Sequence, residues 1–268
     1  MKPGVYTATH NDNSIYYRVS ISYRGKHISL GSFDDEDTAS AVYNEARLIL
    51  NDHNAYYMDT AKCISTYPEC TSAISHDKFI SLINFRDNNI YIKTPIYLCS
   101  KYFLYFLTEK TVFTFDTDDL FYYFNHKIMN RGGHYFVNDY GVQTGILSRY
   151  GIRPYAVAGR DYIFKNNNAH DLRYNNIEII NKYAGVSVFQ NKRNGRTQYK
   201  ARIHINGDYI IGIYNSENEA AIAYNKAIDT LSGRVNIAFT PNYIEDISAI
   251  EYAAIYSRLR ISKKLFEI

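Results

Sequence analysis

The densest concentration of groups able to hold phosphate lies between Lys182 and Tyr214. Six basic side chains (Lys182, Lys192, Arg193, Arg196, Lys200, Arg202) stand there against one acid, Asp208. Guanidinium and ammonium groups neutralise phosphate oxygens, and arginine also offers paired donors to a base edge. The total charge hides this cluster. The 268-residue chain carries only +3, so a basic surface has to come from local crowding. Other chemistry is sparse. No Gly-rich phosphate loop, nucleophile elbow or pair of catalytic carboxylates stands out. Cys63, Cys70 and Cys99 are odd in number and match no zinc spacing, so neither a disulfide framework nor structural zinc is expected. No metal and no cofactor is assigned. The run Asp34-Asp35-Glu36-Asp37 reads as a solvated first helical turn, where acids are favoured, and not as a metal site.

The elements that position the basic residues emerge from an internal repeat. One copy runs from Gly4 to Leu50 and the other from Gly185 to Leu231. Both open with Gly-Val. Each has a tyrosine eight residues before a turn glycine, Tyr17 to Gly25 and Tyr199 to Gly207. Each then passes through Gly31-Ser-Phe33 or Gly212-Ile-Tyr214 into a helix containing Tyr-Asn, with one residue fewer between the last two glycines of the second copy. Val19 and Ile21 alternate with Arg18, Ser20 and Ser22. Ala201, Ile203 and Ile205 alternate with Lys200, Arg202 and His204. That period of two predicts strands with one buried and one polar face. Arg24-Gly25 and Asn206-Gly207 predict hairpin turns, the second from its Asn-Gly chemistry. Ser216 with Glu219 fits a capping box. Ala39, Val42, Tyr43, Ala46 and Ile49, and in the second copy Ala220, Ala223, Tyr224, Ala227 and Leu231, form apolar helical stripes. Each copy therefore predicts three antiparallel strands on one helix, with the other face of the sheet exposed.

Both copies resemble the Apetala-two/ethylene-response-factor DNA-binding domains. They share the Gly-Val start, the Gly-x-Phe/Tyr step and, in the second copy, Glu219-Ala-Ala-x-Ala-Tyr224. The resemblance implies a sheet that reads the major groove. It implies first-strand contacts at Tyr6, Ala8, Ser187 and Phe189. The second strand would contribute Arg18, Ser20, Ser22, Lys200, Arg202 and His204, and the third His27, Ser29 and Tyr209. Arg24, Lys192, Arg193 and Arg196 complete the DNA-binding set, with Lys192, Arg193 and Arg196 on phosphates.

Asp161 to Asn181 resembles the core of phage-type HNH homing endonucleases, through Asn168, Asp171, Arg173, Asn176 and Ile177. The stretch from Phe115 to Arg149, with Gly132-Gly133-His134-Tyr135, resembles the lead-in of that family. At the positions of the paired histidines stand Ile163 and Phe164, and Ser148 replaces the lead-in histidine. Isoleucine and phenylalanine neither bind a cation nor accept a proton, and metal-assisted phosphodiester hydrolysis needs both. The reading is a degenerate site without catalytic residues. In it Asn168 holds a loop, Asp171 pairs with Arg173, and Asn176 begins or braces a helix. His170 reads as a turn residue.

The expected fold is α+β: two three-stranded antiparallel sheet-plus-helix modules flanking a central HNH-like α+β domain. The modules are residues 1–54 and 182–240, the central domain 111–181. Residues 55–110 are a connector of unclear fold and 241–268 a basic C-terminal helix with Ile250, Ala254, Ile255 and Leu259 on one side. Some helix is expected between Asn54 and Ser75. Strands are expected at Ile90–Thr94 and Tyr102–Thr108, the aromatic run of the latter being core. The composition (28 Tyr, no Trp, many Asn and Ile) fits coding from an AT-rich genome. The start lacks an apolar signal core, and the most apolar window, Ile96 to Phe106, is too short to span a membrane. A protein of the bacterial cytoplasm is expected, nucleoid-associated when bound to DNA. The expected function is non-catalytic binding of double-stranded DNA in a phage or mobile-element setting. The alternatives are an HNH-type nickase rearranged around His134, His170 and Asp171, and an anti-CRISPR-like inhibitor that occupies the nucleic-acid-binding surface of a host effector complex.

Overall fold

Alternating apolar residues dictate the first sheet. In the computed structural model, which describes residues 2–67, 72–192 and 195–268, β1 (Val5–Thr9), β2 (Ile15–Tyr23) and β3 (Lys26–Phe33) pair antiparallel in that order. Val5, Val19, Ile21, Ile28 and Leu30 point inward. Tyr23 and Lys26 pair across a two-residue turn whose Arg24 and Gly25 both take positive φ, 46° and 76°, the backbone that matches strand twist. Helix α1 (Glu36–Asn51) starts where the Asp35 carboxylate accepts the Thr38 N–H at 2.7 Å. It lays Ala39, Val42, Ala46, Ile49 and Leu50 on the sheet.

The chain divides into two compact units, residues 1–146 with 168–176, and residues 147–167 with 177–268. This differs from the expected five segments. Residues 55–110 are not a connector. After a short hairpin of β4 (Met58–Asp59) and β5 (Ile64–Ser65), helix α2 (His76–Asn88) buries every residue from Phe79 to Arg86. It shares one apolar core with the first sheet and α1. Arg86, 2% exposed, donates to the Ile49 and Tyr56 carbonyls at 2.8 and 2.7 Å, satisfying backbone acceptors around the end of α1. No helix forms between Asn54 and Ser75 among the described residues.

A second antiparallel sheet follows, in the order β6 (Ile96–Leu98), β7 (Tyr102–Phe106), β8 (Val112–Asp116). The aromatic run of β7 is core, as expected. Leu104 and Phe106 join the α2 core. Phe103 stacks on Phe115 with centroids 5.3 Å apart, and Tyr105 meets Tyr123 edge-on. Ile90–Thr94 forms no strand; Ile92 is buried there without a ladder partner. Helix α3 (Leu120–Asn125) leads to the sheet of β9 (Met129–Arg131), β10 (His134–Asp139) and β11 (Val142–Gly145), with β10 central. Residues 168–176 lie beside β8: Thr114 N–H donates to His170 O at 2.9 Å and Leu172 N–H to Thr114 O at 2.8 Å.

In the second unit β12 (Tyr162–Phe164) pairs with β13 (Ile177–Ile179). The second repeat forms β14 (Val186–Gln190), β15 (Thr197–His204) and β16 (Asp208–Tyr214), antiparallel in that order, with α4 (Glu217–Leu231). Ser216 caps α4, accepting the Glu219 N–H at 3.1 Å. The core joins Val186, Ala201, Ile203 and Ile211 to Ala220, Ala223, Ala227 and Leu231. Helix α5 (Ala249–Arg258) packs on α4 through Ile255, while Ile250 is 84% exposed. Of the expected apolar side, Ile255 and Leu259 pack on the core and Ile250 and Ala254 face solvent. The fold is α+β, and among the described residues no helix is long and apolar enough to cross a membrane.

The repeat signature has a steric cause. Gly4 and Gly185 both have φ near 70°, and a Cβ there would lie 2.1 Å from the Tyr43 ring and 2.4 Å from the Tyr224 ring. The helix tyrosine thus fills the space that the opening glycine leaves. Each glycine carbonyl also accepts from the strand opposite, Ser20 N–H at 3.0 Å and Arg202 N–H at 2.7 Å. Both sheets break register at the same place, after Val19 and after Ala201. The turns differ. His204 pairs with Asp208 around three residues, and neither Asn206 nor Gly207 takes a positive φ. The expected Asn-Gly two-residue turn is replaced by a wider one, which keeps Ile205 buried.

Candidate nucleic-acid interface

Strand pairing decides which side chains share the open face of each sheet. In the first, Tyr6 stands opposite Arg18, Arg18 opposite Ser32, Ser20 opposite Ser29 and Ser22 opposite His27. Tyr6, Arg18, Ser22 and His27 are exposed and Ala8 and Ser20 half-buried. Ser22 Oγ and His27 Nδ1 lie 3.3 Å apart. The resemblance-derived set is therefore brought onto one face, although its only guanidinium is Arg18. Arg24 departs from the expectation. It donates to the Arg86 carbonyl at 2.8 Å and to the Asn89 side chain, and its guanidinium lies 5.0 Å from the Tyr23 ring centroid. Its Nη1 braces the end of α2, while the residue stays exposed.

The second sheet is richer in charge. Ser187 pairs with Lys200 and Phe189 with Gln198, so Ser187, Phe189, Lys200, Arg202 and His204 share the face opposite α4. Lys200 Nζ lies 4.6 Å from the Phe189 ring centroid, a cation–π contact that holds the ammonium over the sheet. Arg202 Nη1 donates to Asp208 at 3.1 Å, and His204 Nδ1 is 3.0 Å from the other Asp208 oxygen. The His204 hydrogen bond first, then the Arg202 charge, hold the Asp208 carboxyl below its ordinary 3.8. Tyr209 is a correction. It pairs with Ile203 and packs towards the core, while Asp208 and Ile210 hold the outward positions of β16. The wider turn shifts the register by one residue relative to the first copy. Lys192 and Arg196 sit exposed in the β14–β15 connection. Arg193 lies outside the described residues, as does Cys70.

The structure adds two cations that the repeat did not flag, Arg153 and Arg160. Both bind the buried Asp161, Arg160 Nη2 at 2.8 Å and Arg153 Nη2 at 3.5 Å. Burial pushes the Asp161 carboxyl up, but Arg160, the Val157 N–H and Asn181 together outweigh it and hold it below 3.8. Burial draws the Arg153 guanidinium down from its usual value. A cleft of about 330 Å³ is lined by Arg153, Arg160, Ser187, Arg202, His204 and Tyr224, among others. The signal in the sequence was the isolated Arg153-Pro-Tyr and Gly159-Arg160-Asp161 triplets, which carry no periodicity.

The residues of the HNH resemblance have structural partners. Asn168 Oδ1 accepts from the His170 N–H at 3.0 Å, holding a turn. Arg173 grips Asp171 with two bonds of 2.8 and 2.7 Å. Buried Asn176 donates to the Asp171 carbonyl at 2.7 Å. It braces that loop but begins no α-helix, since β13 starts at Ile177. Ile163 and Phe164 lie in β12, half-buried, opposite Glu178 and Ile177. The His170 ring meets Phe113 edge-on at 5.2 Å, and His134 is exposed opposite Arg131. Among the described residues no group of three or more His, Cys, Asp or Glu is placed to hold a metal ion. Comparisons with protein-family models, with curated proteins and with solved structures found no match to this chain.

Proposed function

We propose that the protein binds double-stranded DNA without cleaving it, with the β14–β16 sheet entering the major groove and the β1–β3 sheet as a weaker second contact. The observation that carries this is the open face of β14 and β15. Lys200, Arg202 and His204 stand in a row on one strand, beside Ser187 and Phe189, on the side away from α4. A sheet of this width fits the major groove as two-stranded ribbons do. Lys200 and His204 are suited to base edges, and Lys192 and Arg196 in the connection, with Arg202 at the side of the face, to phosphates. Two weak sheets in one chain gain from effective concentration.

Fluorescence anisotropy on a panel of labelled duplexes tests this, across a salt series. His204→Ala should cost about 1–3 kcal/mol and relax sequence preference. Lys192→Ala should weaken all duplexes alike and reduce the salt slope by about one. A chain that binds no duplex at physiological salt, or one indifferent to both substitutions, overturns the proposal and makes a protein partner the leading alternative.

A further inference from the structure

The loop from Arg153 to Asp161 and the start of the second sheet enclose a cleft to which no role has been given. Its cationic lining comes from two separate pieces of chain, Arg153 and Arg160 from the loop and Arg202 from β15. Asp161, 3% exposed, anchors the loop by accepting the Val157 N–H at 2.8 Å and by its bonds to Arg160. Arg153 Nη1 donates to the Asn181 carbonyl at 3.0 Å, which fixes its guanidinium at the cleft wall.

The charges do not cancel. Three guanidiniums line the cleft against two carboxylates, and one of those, Asp161, is buried beneath its partners. Donors also remain. Arg160 spends Nε and Nη2 on Asp161, and Arg202 spends Nη1 on Asp208. That leaves Arg160 Nη1 and the Nε and Nη2 edge of Arg202 for a ligand, in the forked geometry that suits phosphate oxygens. The charge of Arg160 is felt at Asp208, so loop and strand act on the same space.

We infer that this cleft is a phosphate-binding subsite, with Arg160 and Arg202 gripping the anion from opposite walls and Arg153 supplying long-range charge. It rests on the DNA-binding reading only for the source of the phosphate, a backbone phosphodiester of the bound duplex. A free phosphate monoester presents the same oxygens. Because the cleft adjoins Ser187, Arg202 and His204 of the open face, a duplex seated on the sheet would bring its flanking strand there.

The test uses the full-length protein with two probes, inorganic phosphate and a labelled duplex. Arginine Nε–Hε resonances are followed by NMR during phosphate titration, in wild type, Arg160→Gln and Arg202→Gln. Saturable shifts at Arg160 and Arg202, with apparent affinity weakened at least about tenfold in each variant, are expected; about tenfold is the lower end for one lost charged hydrogen bond. Arg202→Gln serves as the second variant because Arg160 also holds the loop. The duplex arm names the source. If Arg160→Gln weakens duplex binding and lowers the salt slope by about one, the phosphate is that of DNA. If duplex binding is unchanged while the phosphate response is lost, the cleft serves a free phosphate and the DNA assignment of the subsite falls. No phosphate response at either arginine, or one unaltered in both variants, overturns the cleft itself. Failure of wild type to bind duplex while the phosphate response persists refutes the DNA reading and not the cleft.

Discussion

Replacing Gly185 by alanine tests the steric account of the repeat. The new Cβ would stand 2.3 Å from the Arg202 carbonyl oxygen and 2.4 Å from the Tyr224 ring, on a backbone with φ of 70°. A left-handed conformation costs an L-residue about 1–2 kcal/mol. Overpacking adds about 1–3 kcal/mol, and more where backbone must yield. The reduced freedom of the unfolded chain returns about 0.4–1 kcal/mol. The net loss is about 2–4 kcal/mol, a large share of the stability of a small domain. With a urea m-value of about 1–3 kcal/mol/M the midpoint should fall by about 1–2 M. The control is Gly207→Ala, where a Cβ meets nothing within 4 Å and φ is not left-handed; it should be neutral. Far-UV circular dichroism gives the midpoints, and hydrogen exchange on peptides from residues 186–214 places the loss in this unit. Trimming Tyr224 to alanine as well should not restore stability, because the Arg202 carbonyl remains in the way. If Gly185→Ala unfolds at the same urea concentration as Gly207→Ala, the steric reasoning is wrong.

Two further outcomes bear on the scaffold. Ser216→Ala removes the N-cap of α4 and should lower stability by about 1 kcal/mol, read as a urea-midpoint shift that Ser216→Asp should not show. His76 is held below its ordinary 6.5 by burial, against a smaller opposing pull from Asp77, and its Nε2 has no hydrogen-bond partner among the described residues. As pH falls below 6.5 the unfolded chain takes up a proton that the native state refuses, so stability should drop from there down to the native value. His76→Phe should flatten that part of the profile between pH 7.5 and 5.5; an identical pH dependence in the variant would show that another group is responsible.

The α+β class, the three-stranded sheet and helix of each repeat, the Ser216 cap and the burial of the Tyr102–Phe106 run were legible in the linear chain. Each follows from short-range rules: period-two alternation, the acids 34–37 and Ser216 at helix starts, glycines at turns. The row of Lys200, Arg202 and His204 was legible for the same reason, since alternate residues of one strand must share a face. Where the reading failed, a distant or sterically specific partner decided. Asn206-Gly207 promised a tight turn, but burying Ile205 widened it and moved Tyr209 to the core side. The contact of Arg24 with the end of α2 could not be read from its turn alone. Residues 55–110 looked like a tether because α2 buries Ser81, Asn84 and Arg86 among its apolar residues, and that mixture leaves little amphipathic periodicity to read. Arg153 and Arg160 line the same cleft as Arg202 while both are held by buried Asp161, far from Arg202 in sequence. Local patterns encode which way a side chain points along its own element. What stands opposite it depends on contacts made by residues far away in sequence, and only the tertiary structure decides those.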